Sequence, residues 1–170
     1  MSINPEQFYV FKNLDRNQID TFVSACTEVI IPPKEMILTQ YGDSHKIFFL
    51  VAGKVRVFLD TPAGEQEISR NKAPTVLGEI SFFSGEPNSA NVEAINEVKA
   101  LVMPFDALRQ RLAEGDKISS TVMFNMAEAI AQRAYGLIRK ISDLYSEQHD
   151  AQLSAIDSST KNIFRDWSFW

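Results

Sequence analysis

Between residues 29 and 103 the chain changes character every few residues, and that punctuation leaves few folds open. Short apolar or alternating runs at 29–31, 35–39, 46–51, 54–59, 65–69, 92–95 and 98–103 are separated by turn-forming residues. The breaks are Pro32-Pro33, Tyr41-Gly42-Asp43-Ser44, Gly53, Asp60-Thr61-Pro62-Ala63-Gly64 and Asn96-Glu97. Proline has no amide to give a ladder, and glycine and aspartate supply the dihedrals that turns need. Residues 54–59 alternate polar with apolar, as a half-exposed strand does, whereas 46–51 are apolar after Lys46 and read as buried. Strands this short and closely spaced predict an α+β chain built on an antiparallel β-roll, jelly-roll-like in outline.

Helical periodicity flanks the roll. Phe8, Phe11, Leu14, Ile19, Phe22, Val23 and Cys26 recur at steps of three and four, with Asp15 placed to cap a second short helix. After Pro104-Phe105-Asp106, the residues Phe105, Leu108 and Leu112 make one apolar face. A long helix over 117–147 follows, capped by Asp116 or by Ser119-Ser120. Its stripe of Val122, Met126, Ile130, Leu137, Ile141 and Leu144 has near-heptad spacing. Such a stripe either lies on its own sheet or meets the same helix of a second copy. The second reading is preferred, since about 28 helical residues reach roughly 40 Å and overrun a roll of this size. The expected division is 1–27 as N-terminal helices, 28–104 as the roll, 105–148 as C-terminal helices and 149–170 as a tail. That tail ends with Phe164, Trp167, Phe169 and Trp170, which either fold back onto the protein or dock on a partner.

The stretch from 77 to 94 interrupts the strands with a different kind of sequence. Leu77-Gly78-Glu79-Ile80-Ser81-Phe82-Phe83 reads as a glycine followed by one short helix, and Asn88-Ser89-Ala90 closes the segment on small residues. Gly78 lets backbone approach a ligand closely, and a helix start offers unpaired amides to an anion. Ser89 adds a hydroxyl and Ala90 an unobstructed amide.

In these residues the chain resembles the cyclic-nucleotide-binding domains of catabolite activator proteins, protein kinase A regulatory subunits and gated channels. Gly78-Glu79-Ile80-Ser81 matches the first half of that family's phosphate-binding cassette, and Ser89-Ala90 matches its end. Gln40-x-Gly42-Asp43 and Phe49-Leu50-Val51-x-Gly53-x-Val55 match two further family segments, in order. The resemblance implies a cyclic AMP or cyclic GMP ligand and no cofactor. Glu79 would accept the ribose hydroxyl, the amides of Ile80 and Ser81 would face the cyclic phosphate, and Ser89 and Ala90 would complete its shell. Where the family has arginine this chain has Asn88, a shorter and neutral donor. Losing a charge-assisted bond costs about 1.5–3 kcal/mol. Arg70, Lys72 and Arg133 are other cations that would have to substitute.

Two functions compete. One is a sensor that binds a cyclic nucleotide weakly and moves its long helix. The other is a pseudo-receptor, a dimeric scaffold without ligand. The sensor is ranked first. A homodimer and a protein partner are expected, while the net charge of −5 and the roughly 20 residues after the long helix argue against DNA. No apolar run nears the ~18 residues of a membrane span, residues 1–5 do not read as a leader, and the lone Cys26 fits a reducing compartment, so the expectation is cytoplasmic. An enzyme is not expected. The histidines are His45 and His149 alone, Cys26 sits on an apolar helix face, and no acid pair or nucleophile motif occurs.

Overall fold

The structure, a computed structural model, describes residues 8–148. Two compact units divide the chain after Glu128. The first holds a 3-10 turn (Tyr9–Phe11), α1 (Arg16–Ser24) and eight strands: β1 (Thr27–Ile31), β2 (Met36–Leu38), β3 (Lys46–Ala52), β4 (Lys54–Thr61), β5 (Gly64–Lys72), β6 (Thr75–Leu77), β7 (Asn91–Ala94) and β8 (Val98–Pro104). Helix α2 (Glu79–Ser84) lies between β6 and β7, and α3 (Phe105–Ala113) follows β8. Helix α4 (Lys117–Gln148) begins in the first unit and supplies the described part of the second. No helix among the described residues is long and apolar enough to cross a membrane.

The strands form two four-stranded antiparallel sheets, β1-β8-β3-β6 and β2-β7-β4-β5. This is the predicted roll, with one strand added. β6 pairs Val76 with Phe49 and Leu77 with Phe48. It is three residues long, too short for a period to declare itself in sequence.

Strands β3 and β8 of the first sheet are buried on both faces, which explains why residues 46–51 read as continuously apolar. On β3, Ile47 and Phe49 join one core with Phe8, Phe11, Phe22, Leu108 and Met126. Leu50, one step out of phase, joins a second core with Val55, Leu77, Val92 and Ala100, drawn from both sheets. The first core is largely aromatic. Phe11 meets Phe22 edge-on at 5.9 Å, and Phe22 meets Phe49 at 5.5 Å. Gly53 turns β3 into β4 at φ 102°, and a Cβ there would sit 2.6 Å from the Glu97 carbonyl oxygen.

Local capping follows the sequence. The Asp15 carboxylate accepts from the Gln18 amide while Gln18 Oε1 accepts from the Asp15 amide, both at 2.9 Å, a reciprocal capping box. Asp116 is the residue that caps α4. It accepts from the amides of Ile118 and Ser119 and from the Ser119 hydroxyl at 2.7 Å, and Arg111 lies 2.6 Å away. Inside the first unit, Asn125 of α4 donates to the carbonyls of Val10 and Lys12 at 2.9 and 2.8 Å, fastening the 3-10 turn to the helix.

Of the residues assigned to a dimer stripe, Val122 and Met126 are fully buried in the first core. They are therefore not available to a second copy. Ile130 is partly buried, Leu137 and Ile141 are exposed, and the side chain of Leu144 lies outside the described residues. The tail residues Phe164, Trp167, Phe169 and Trp170 also lie outside them.

Two outcomes are expected. Asn125→Ala leaves two buried carbonyls without a donor and should lower stability in urea unfolding by about 2–4 kcal/mol. Lys12→Ala, which removes an exposed pair with Glu128 at 3.3 Å, should change it by less than about 1 kcal/mol. Asp116 supplies a pH signature. Burial alone would raise its pKa, but the hydrogen bonds from Ser119 and Ile118 and the charge of Arg111 bring it below the ordinary carboxylate value. A folded-state pKa that is depressed contributes stability above the unfolded value of about 4, and that contribution drains away as pH falls through the folded value. Urea midpoints taken through acid pH should thus fall less steeply in Asp116→Asn than in the parent.

Candidate functional site

The candidate site is built on the end of β6. Leu77 is the last residue paired to β3, and the chain must then leave the sheet beside that strand. Gly78 does this at φ 83°, ψ 0°, in the left-handed region. A Cβ at this position would run into the Lys46 carbonyl oxygen of β3, so both the dihedral and the space demand glycine. The Phe82 amide donates to the Gly78 carbonyl at 3.1 Å and starts α2. The amides of Ile80 and Ser81 are then among those to which a helix gives no internal acceptor. Gly85, directly after Ser84, ends the helix at φ 75°, its amide donating to the Ser81 carbonyl.

Seven residues were assigned to this site from sequence. Glu79 and Ser81 are buried on α2, whereas Ile80 is half exposed. Ser89 is exposed and Ala90 partly buried, just before β7. Asn88 is only 3 % exposed and turns inward. Its Oδ1 accepts from the hydroxyls of Ser81 at 3.2 Å and Ser44 at 3.4 Å, and its Nδ2 donates to the Thr39 carbonyl at 3.2 Å. Its backbone bonds the same loop twice: the Asn88 amide donates to the Gly42 carbonyl at 3.1 Å, and the Tyr41 amide donates to the Asn88 carbonyl at 2.8 Å. Asn88 therefore fastens the loop after β2 to the end of the cassette.

Sequence reasoning treated Asn88 as a weakened ligand contact and missed this knot. Two signals lay in the chain: hydroxyls at Thr39 and Ser44, and a Gln40-x-Gly42-Asp43 turn needing an anchor. Gln40 shows the same design. Its amide donates to Asn91 Oδ1 and its Oε1 accepts from the Asp60 amide, both at 2.8 Å, while Asn91 Nδ2 donates to Asp60 at 2.9 Å. Of the substitute cations, Arg70 is engaged by Glu67 at 2.7 Å. Cys26 is no nucleophile. Burial pushes its thiol up to about 12, against a smaller opposing pull from Arg111, and Sγ donates to the Phe22 carbonyl.

The β-roll thus carries a glycine-opened helix between β6 and β7. The profile of the cyclic nucleotide-binding domain matches residues 28–114, and the chain belongs to that family. The family's ligand is a cyclic nucleotide, not a resident cofactor. Among curated proteins the chain is similar to the CRP-like cAMP-activated global transcriptional regulator of Mycobacterium tuberculosis, at 23% identity over 122 residues. That match covers 71% of this chain and 54% of the regulator, so the chain spans about half the length of that relative. Among solved structures it resembles the catabolite activator protein of Thermus thermophilus, with TM-score 0.72, 20% identity, and 82% and 64% of the two chains covered. It also resembles a cyclic nucleotide-binding domain from Methylobacillus flagellatus, with TM-score 0.69, 22% identity, and 89% and 86% covered. At such identities the likeness is one of fold.

The geometry of the turn sets its own test. Gly85→Ala places a side chain in the left-handed region with open space around it and should cost about 1–2 kcal/mol. Gly78→Ala adds the collision with Lys46 and should cost clearly more in the same unfolding assay, enough to lower the melting temperature by several degrees.

Proposed function

We propose that this chain is a non-enzymatic regulatory module that senses cyclic AMP or cyclic GMP with reduced affinity and signals through protein partners rather than DNA, acting in the cytoplasm. The observation that carries the reading is the cassette turn. Gly78, Glu79, Ile80 and Ser81 open a short helix at the end of a strand, and Ser89 and Ala90 return the chain to the next one. In this reading Glu79 takes the ribose hydroxyl and the Ile80 and Ser81 amides take the phosphate. The relative from Mycobacterium tuberculosis carries "cAMP-activated" in its name, which makes cyclic AMP the first nucleotide to test.

Reduced affinity follows from Asn88. Its polar atoms are engaged by Ser81, Ser44 and Thr39, and it brings no positive charge to a phosphate. Partner binding and homodimerisation are assigned to the second half of α4, where Leu137, Ile138, Ile141 and Tyr145 are 59%, 38%, 43% and 37% exposed. The acidic net charge supports protein over nucleic acid as the partner.

The pseudo-receptor is the second reading, and the occupied Asn88 side chain favours it. Titration calorimetry separates the two. The sensor predicts heat at one site per chain with micromolar to sub-millimolar affinity for cyclic AMP or cyclic GMP. No heat at millimolar nucleotide leaves the scaffold. Asn88→Arg should strengthen binding about ten- to a hundred-fold by restoring the charge-assisted bond, in a protein whose melt stays cooperative.

A further inference from the structure

A concavity lies beside Asn88. It encloses about 250 Å³ between the loop after β2, the end of the cassette and α3. Ser81 and Asn88 belong to its wall, but Gly78, Glu79, Ile80, Ser89 and Ala90 do not. The volume lies near the lower end of the range for small-molecule sites, roughly 300–1,000 Å³, and so suits a small ligand.

Charge defines it further. The buried part of the wall is Ser81, Asn88 and the ring of Phe105, while Asp43, His45, Glu86 and Arg109 stand at its exposed parts. Among the described residues, neither the Asp43 nor the Glu86 carboxylate has a cation within 4 Å. Arg109 is in a matching condition. Its guanidinium lies 5.4 and 5.7 Å from the ring centres of Phe82 and Phe105, which fix its position. Its ion pair is a 3.6 Å approach to Asp106, a side chain 98% exposed, and such a contact contributes little. The cavity thus carries two carboxylates and one guanidinium that do not pair with one another.

The loop that supplies half the wall is held under strain. Tyr41 and His45 both take left-handed dihedrals, at φ 62° and 47°. The His45 carbonyl accepts the first amide of α3 at 2.8 Å, and its ring meets Phe105 edge-on at 5.8 Å. Strained non-glycine backbone persists where surrounding contacts over-determine it, and it concentrates at binding sites.

We infer that this cavity is a binding site for a small zwitterion of the α-amino acid type. Its carboxylate pairs with Arg109 and its ammonium with Asp43 and Glu86, over a floor of the Ser44 and Ser81 hydroxyls. A simple anion meets the two carboxylates, and a simple cation meets Arg109. Only a molecule carrying both charges at short separation is matched at each end. Binding bridges the loop after β2 to α3 and does not require a nucleotide on the cassette.

The test is nitrogen–proton correlation spectroscopy on the full chain without nucleotide, titrated to millimolar glycine, L-alanine and L-serine, with acetate and methylamine as single-charge controls. Saturable shifts at the amides of Asp43, Ser44, His45, Glu86 and Arg109 are expected with at least one amino acid, and none with the controls. Arg109→Gln and Asp43→Asn, both at exposed positions, should each weaken binding about tenfold without moving the melting temperature. The inference is overturned if no amino acid gives saturable shifts, if acetate binds as well as glycine, or if both variants bind like the parent.

Discussion

Strands β3 and β8 have to bury side chains on both of their faces, and the rest of the molecule follows from that requirement. A strand with Phe49 pointing to one core and Leu50 to the other cannot be left half in water. One side is closed by curling the second sheet over it, and the other by the 3-10 turn, α1, α3 and the start of α4. Burying a side chain of this kind stabilises by about 1.5–3 kcal/mol. The two clusters together hold more than enough such residues to fix where each helix sits. The cassette inherits this rigidity, because its opening glycine is placed against the backbone of β3 itself.

What the sequence made legible was whatever repeats or whatever matches a known pattern. The strands with alternation or long apolar runs could be read, and so could the Asp15 cap and the glycine turns. β6 could not, because three residues carry no period. Val122 and Met126 were placed on the α4 dimer stripe for a physical reason. Steps of four and seven are also what a helix needs to lie against a core, so Val122 and Met126 look identical in sequence to residues awaiting a second copy. Only the position of the first core, set by Phe8, Phe22 and Phe49, tells the two apart. At the cassette, the order of residues announced the turn, but the direction in which Asn88 points was decided by Ser44 and Thr39, more than forty positions away in the chain.

The chemistry of asparagine explains why it suits that position in this protein. The knot needs an acceptor for two hydroxyls and a donor for one carbonyl. An asparagine amide supplies both, with its oxygen facing Ser81 and Ser44 and its nitrogen facing Thr39. Arginine has five donors and no acceptor, so it would leave the two hydroxyls without their shared partner. Aspartate could accept from the hydroxyls but not donate to the carbonyl. Asn88 thus makes an internal fastening between the cassette and the loop after β2.

That fastening bears on how a signal would cross the domain. A cassette free to move can respond to a ligand by shifting against its neighbours, and the size of the response is bounded by how differently the ligand binds the two arrangements. Here the moving part is tied through Asn88, the Tyr41 and Gly42 backbone and then His45 to the first turn of α3. Any displacement of the cassette end carries the loop with it, and any displacement of the loop pulls on α3. The chain is short and made of hydrogen bonds with two ends, so it transmits in either direction. A group that stiffens the cavity between loop and helix changes the cost of moving the cassette, and a ligand on the cassette changes the shape of that cavity. Reciprocity of this kind is required of any coupled pair of sites.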